Sequence, residues 1–167
     1  TDIENLKGSE TPQQEGDTLT WNSDETALYY SGSTEKQLPV TADITYQLDG
    51  QFYTAEEMTG KSGHLTVRVK LTNHETETAR IDGKDYKVCT PFATVVSAVL
   101  PADRFQNVTA QNGTLQTDST NQLVAFVCLP GLKDCFGSLL TDQLAGIKDY
   151  LLDEVSFEAD VTNFSAP

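Results

Sequence analysis

The sequence is short of positive charge, of long apolar runs and of cysteine, and each shortage removes a class of function. Lysine and arginine total 11 against 25 aspartates and glutamates, a formal net charge of -14 over 167 residues. Nucleic acids and anionic membrane surfaces are bound by clustered cations, so neither is an expected partner. No stretch has the apolar length of a membrane-spanning helix. The most apolar run, Pro91 to Pro101, is interrupted by Thr94 and Ser97 and suits a buried strand. This segment is therefore not expected to span a membrane itself. No signal-peptide pattern opens the chain, which begins at Thr1 and ends at Pro167. The expectation is a piece of a longer protein or a processed product.

Three cysteines, Cys89, Cys128 and Cys135, are too few for a disulfide framework. They read first as small buried hydrophobes, with one disulfide and one leftover thiol as the rival. Cys128 and Cys135 have no Cys or His pair opposite them, so no zinc spacing is present. The only histidines, His64 and His74, sit at the two ends of one strand on its polar face. A cysteine nucleophile would need one of them as its base. There is no Gly-x-Ser-x-Gly elbow. The adjacent acids Glu56-Glu57 and Asp153-Glu154 read as helix-end residues, not as a glycosidase pair. No catalytic residue is assigned, and the chain is expected not to be an enzyme.

What the sequence does have is strand grammar. Ile44, Tyr46 and Leu48 alternate with polar residues up to the hairpin signal Asp49-Gly50, where glycine accepts a positive φ. Thr54 and Glu57 have capping-box spacing for a short helical turn. Leu65, Val67, Val69 and Leu71 then alternate with His64, Thr66, Arg68 and Lys70, as a half-buried strand requires. Asp82-Gly83 separates strands at 76–81 and 85–89, and Asn112-Gly113 separates strands at 105–110 and 114–117. Phe92, Val95, Val96, Val99 and Leu100 are expected to supply core mass. Leu123 to Leu129 and Val155 to Val161 complete the strand set. Leu140, Leu144, Ile147 and Leu151 recur at helical spacing, predicting a helix over about 138–152. About nine strands and one late helix predict a mostly-β chain, a two-layer β-sandwich, immunoglobulin-like in a loose sense. Residues 1–16 read as a linker or arm, and 17–167 as a single domain.

A set of phrases in fixed order carries a resemblance. These include Leu38-Pro39-Val40, Thr45-Tyr46-Gln47-Leu48-Asp49-Gly50, Gly60-Lys61-Ser62-Gly63, Leu100-Pro101-Ala102-Asp103-Arg104-Phe105, Leu129-Pro130-Gly131-Leu132 and Glu158-Ala159-Asp160-Val161-Thr162. Over about Leu19 to Phe164 the chain resembles uncharacterised surface-anchored proteins of Gram-positive gut bacteria, which have large ectodomains with Leu/Gly heptad or coiled-coil segments. The resemblance implies an extracellular, cell-surface location on a membrane-anchored parent, and the leading expectation of function is a non-enzymatic module with a display or adhesion role. It implies no catalytic residues. The three cysteines and the passage between Leu132 and Val155 depart from that pattern.

Two ligand chemistries remain. Calcium takes several loop oxygens, and Asp82, Asp85 and Asp103 lie in turns. No other cofactor is expected. Tyr30 and Tyr53, with Trp21, Tyr29 and Phe52 near them in sequence, suit stacking against a sugar ring. Tyr29-Tyr30 and Phe52-Tyr53 are consecutive pairs, so one ring of each is expected in the core and one at the rim. A host or cell-wall glycan, or a protein, is the class of partner these features suit. A carbohydrate-binding module is the alternative function.

Overall fold

In the computed structural model the chain is described over residues 3–7, 10–16, 18–23, 27–136 and 142–165, with the backbone alone at 142–145. It divides into two compact units, Thr1–Gln37 and Leu38–Pro167. The division falls at Gln37, not near Gly16. The reason is local pairing: strand β2 (Gln13–Glu15) bonds to β3 (Thr18–Thr20) straight across the expected boundary, after β1 (Glu4–Asn5), which pairs with β4 (Tyr30–Ser31). The segment read as an arm thus belongs to a small unit of two-stranded ribbons.

The second unit carries the sandwich. In chain order it contains β5 (Val40–Leu48), β6 (Gln51–Tyr53), the single-turn helix α1 (Ala55–Met58), β7 (Gly63–Asn73), β8 (Thr76–Ile81) and β9 (Lys84–Cys89). There follow β10 (Thr94–Pro101), β11 (Phe105–Ala110), β12 (Thr114–Thr117), β13 (Asn121–Cys128), α2 (Leu132–Phe136), a 3-10 helix (Asp142–Tyr150) and β14 (Glu154–Val161). One layer is a five-stranded antiparallel sheet in the order β11-β14-β7-β5-β6, and the other a three-stranded sheet in the order β10-β13-β12. β8 and β9 form a separate hairpin.

Alternation decides which face each strand buries. Leu65, Val67, Val69 and Leu71 of β7 stand beside Ala159, Phe157 and Val155 of β14, and all are buried. They pack into one cluster with Leu100, Val124, Phe126 and Cys128 of the smaller sheet. Each such side chain contributes about 1.5–3 kcal/mol when fully buried, which fixes the register: a slip of one residue would send the whole row to solvent. Among the described residues no polar or charged side chain is buried. The layers meet through this apolar cluster, and Gln122 of β13 adds a polar link by donating its side-chain amide to the Phe105 carbonyl of β11 at 2.7 Å.

Three expectations are corrected here. Val95 and Val99 do not enter the core. They are 65% exposed on the outer face of the small sheet, beside Val127 and Leu123, while Leu100 is buried. Val95-Val96 and Val99-Leu100 are neighbours in an extended strand, so only one of each can point inward. Ile44, on the inward side of β5 with Tyr46 and Leu48, is 52% exposed because the second layer does not cover that corner. The late helix is not one continuous α-helix. Within the expected 138–152, Asp142–Tyr150 is a 3-10 helix, and Gly146 within it costs about 1 kcal/mol against alanine for α-helix. Residues 137–141, including Leu140 of the expected apolar stripe, lie outside the described residues. Leu151, its last member, is buried.

Candidate functional site

A concavity in the sandwich unit is a consequence of unequal strand lengths. Asp49 and Gly50, at φ 51° and 81°, form the two-residue turn the sequence predicts. β6 therefore folds straight back on β5, pairing Leu48 with Gln51, Gln47 with Phe52 and Tyr46 with Tyr53. It ends there. Among the described residues of the sandwich unit, Val40–Thr45 of β5 pair only with β7, and β6 does not extend along their other edge.

The chain leaves the sheet at Thr54 by the expected capping box. The Thr54 hydroxyl accepts from the Glu57 amide at 3.3 Å, and the Glu57 carboxylate accepts from the Thr54 amide at 2.9 Å. That turn drives Met58 into the core, fully buried, and leaves Glu56 and Glu57 outside. Between that edge and this turn lies a hollow of about 590 Å³, open to solvent and walled by Ile44, Tyr46, Phe52, Tyr53, Glu56 and Glu57. Phe52 is 66% exposed, whereas Tyr53 is half-buried. Tyr53 is held in place: its hydroxyl donates to Gln51 Oε1 at 2.8 Å, and Lys61 Nζ lies 5.3 Å from its ring centroid. This pair follows the expected rule of one inner and one rim ring.

The other tyrosine pair does not. Tyr29 and Tyr30 are both exposed, in the first unit. Tyr30 stacks on Trp21 at 6.1 Å between centroids, and Tyr29 lies under Lys7 Nζ at 5.6 Å. A strand of two residues in a two-stranded ribbon has no second layer to bury one of its faces. The aromatics grouped by sequence thus fall into two sets, one in each unit.

The acidic turns stay apart in the chain's architecture. Asp82, at φ 50°, and Gly83 make the β8–β9 turn. Asp85 faces Arg80 across that hairpin, with the guanidinium 3.8 Å from its carboxylate. Asp103 occupies the separate β10–β11 turn. Among the described residues no group of three or more His, Cys, Asp or Glu side chains converges to hold a metal ion.

A polar cluster not singled out from sequence lies on the outer face of the large sheet. His64 and Asp160 are direct cross-strand partners, which places His64 Nδ1 3.0 Å from Asp160 Oδ1. His64 Nε2 is 3.7 Å from Glu158, and Asn107 donates to Asp160 Oδ2 at 2.7 Å. Asn107 reaches it from a register shift in β11, where its own φ is 52°. The hydrogen bond to Asp160, aided by the charges of Asp160 and Glu158, raises the imidazole above its ordinary 6.5. The Asn107 amide, then His64, hold Asp160 below the usual 3.8. The parity of His64 and Asp160 was readable, but their register was not. His74 instead meets Thr41 Oγ1 at 2.9 Å. No contact between either imidazole and a cysteine sulfur occurs among the described residues. The chain matches no known family model, no curated protein and no solved structure.

Proposed function

We propose that this chain is a non-enzymatic module of the extracellular part of a bacterial cell-surface protein, with a display or adhesion role. The ordered phrases that resemble Gram-positive surface-anchored proteins supply the location. One structural observation carries the binding role: the aromatic hollow of Ile44, Tyr46, Phe52 and Tyr53 beside the β5 edge along which β6 does not extend. Its volume is within the range of small-ligand sites, but it is open to solvent. Its walls offer rings and carboxylates, which suit contact with a partner surface more than water-excluded chemistry.

The same hollow supports the second reading, a carbohydrate-binding module. Tyr53 and Phe52 offer ring faces to a pyranose, and Glu56 and Glu57 offer hydroxyl acceptors. A glycan array run on the isolated chain, with calcium and with chelator, separates the readings. Binding lost on Tyr53→Ala and kept on Tyr30→Ala assigns the sugar site to the hollow. Binding lost only on Tyr30→Ala moves it to the first unit. Binding lost in chelator brings calcium and the acids Asp82, Asp85 and Asp103 into the site. No glycan bound in either buffer leaves a protein-contact module. Turnover of an ester, peptide or glycoside that is abolished by Cys89→Ala or His64→Ala refutes the non-enzymatic reading.

A further inference from the structure

We infer that Cys89 and Cys135 are a disulfide-forming pair that staples β9 to α2, with a small-molecule disulfide as the co-reactant oxidant. Their sulfurs lie 2.8 Å apart, with the Cys135 thiol donating to Cys89. Closing to the about 2.05 Å of a bonded pair takes less than about 1 Å of movement. Chain proximity would have paired Cys128 with Cys135. Cys128, however, is fully buried on the inner face of β13, whereas Cys89 and Cys135 are both partly exposed to a reagent.

The approach is built by several independent contacts. Asn73, at the end of β7, donates its side-chain amide to the Thr90 carbonyl at 2.9 Å and to the Pro130 carbonyl at 3.1 Å. One residue beyond Cys89 is thereby tied to the entrance of α2. The Gly131 amide donates to Asp153 Oδ1 at 2.6 Å, and the Gly131 carbonyl accepts from the Cys135 amide at 3.4 Å. Lys87 Nζ on β9 lies 3.5 Å from Asp134 on α2. The two cysteines stand on elements already held together by hydrogen bonds and an ion pair. Between them in the chain lie β10, β11, β12 and β13, so the bond closes a loop containing the whole three-stranded layer.

The chemistry balances as two thiol–disulfide exchanges. One cysteine thiolate attacks the small disulfide, whose S–S bond breaks to release one small thiol and leave a mixed disulfide. The other cysteine, as thiolate, attacks the protein sulfur of that mixed disulfide and expels the second small thiol. Two electrons pass from the cysteine sulfurs to the small disulfide, and the two thiol protons end on the released thiols. Burial, then the Cys135 hydrogen bond, push the Cys89 thiol up to about 11. Its thiolate is scarce at neutral pH, so the exchange in which Cys89 attacks should speed up as pH rises from 7 to 9.

The test is incubation of the intact chain with oxidised glutathione, followed by mass spectrometry and non-reducing tryptic mapping. Each cysteine falls in a different tryptic peptide: residues 88–104, 105–133 and 134–148. The expected product is lighter by two hydrogens, with 88–104 joined to 134–148 and one thiol, Cys128, reactive only after unfolding. Cys128→Ser should close as the unmodified chain does, and Cys89→Ser should not close. Bonding through Cys128, stable glutathione adducts on both Cys89 and Cys135, or an unchanged mass overturns the inference. None of these outcomes depends on where the protein resides, so the proposed location stands or falls separately.

Discussion

Replacing Gly131 by alanine should cost more than the same change at Gly50, although the two backbones are nearly alike. Gly50 has φ 81° and Gly131 has φ 80°. At either position an added Cβ meets the left-handed penalty, roughly 1–2 kcal/mol. The surroundings differ. A Cβ at Gly50 would meet nothing within 4 Å, whereas one at Gly131 would lie 3.2 Å from Asn73 Cβ and 3.5 Å from its Nδ2. That nitrogen makes the bonds to Thr90 and Pro130. Displacing it risks two hydrogen bonds of about 0.5–1.5 kcal/mol each. The expected losses are about 1–2 kcal/mol for Gly50→Ala and about 2–5 kcal/mol for Gly131→Ala. Urea denaturation read by far-UV circular dichroism, which reports on the strands of the sandwich, with m-values checked for constancy, measures both. Gly83→Ala, at φ 77° with open space around it, is a second control. If Gly131→Ala is no worse than the two controls, the Asn73 tie does not hold the β9–α2 junction as described.

Met58→Ala should cost about 2–5 kcal/mol in the same assay, because a fully buried side chain is removed from a core that cannot collapse freely. Val99→Thr should change stability by less than about 0.5 kcal/mol, since Val99 faces outward; a large loss would mean that this face is covered. His64, raised by Asp160, adds stability that is fully present below the unfolded 6.5 and is lost as pH rises through its folded value. Asp160, lowered, adds stability present above 3.8 and lost as pH falls through its folded value. NMR titration should therefore place the His64 midpoint above 6.5, and Asp160→Asn should bring it down; an unmoved midpoint refutes the pairing. The Cys89–Cys135 bond, spanning 46 residues of chain, should stabilise the oxidised form by about 4 kcal/mol over the reduced form if it acts through loop entropy.

Much of the sandwich was legible because its signals are local. Period-2 alternation placed β7 and β14 with their buried faces correct, and Asp-Gly dipeptides placed two hairpins. The capping box at Thr54 was readable from two residues. What failed was set by distant parts of the chain. Val95 and Val99 are as apolar as Val96 and Leu100, and nothing within β10 says which pair faces the other sheet. Ile44 carries the correct alternation, yet its exposure depends on where the second layer stops. The 3-10 form of Asp142–Tyr150 has a local sign in Gly146, against which the apolar stripe argues for α-helix.

The candidate sites were legible only in part, for a related reason. Tyr53 lines the hollow, but the hollow exists because β6 is three residues long, which strand propensity does not encode. The acids at 82, 85 and 103 are turn residues, and turn chemistry alone accounts for Asp82 at positive φ and for Asp85 opposite Arg80. The cysteines are the sharpest case. Sequence distance favours Cys128 with Cys135, yet parity sends Cys128 into the core from a buried strand. Asn73, 16 residues from Cys89 and 62 from Cys135, brings the other two together through backbone carbonyls that any sequence would offer. One legible sign was the Leu129-Pro130-Gly131 turn. Its glycine is required by the approach of Asn73, and that approach places α2 against β9. The meeting of Cys89 and Cys135 therefore draws on an uncharged amide at a strand end, together with the Gly131–Asp153 and Lys87–Asp134 contacts, and no motif search for reactive groups would select that amide.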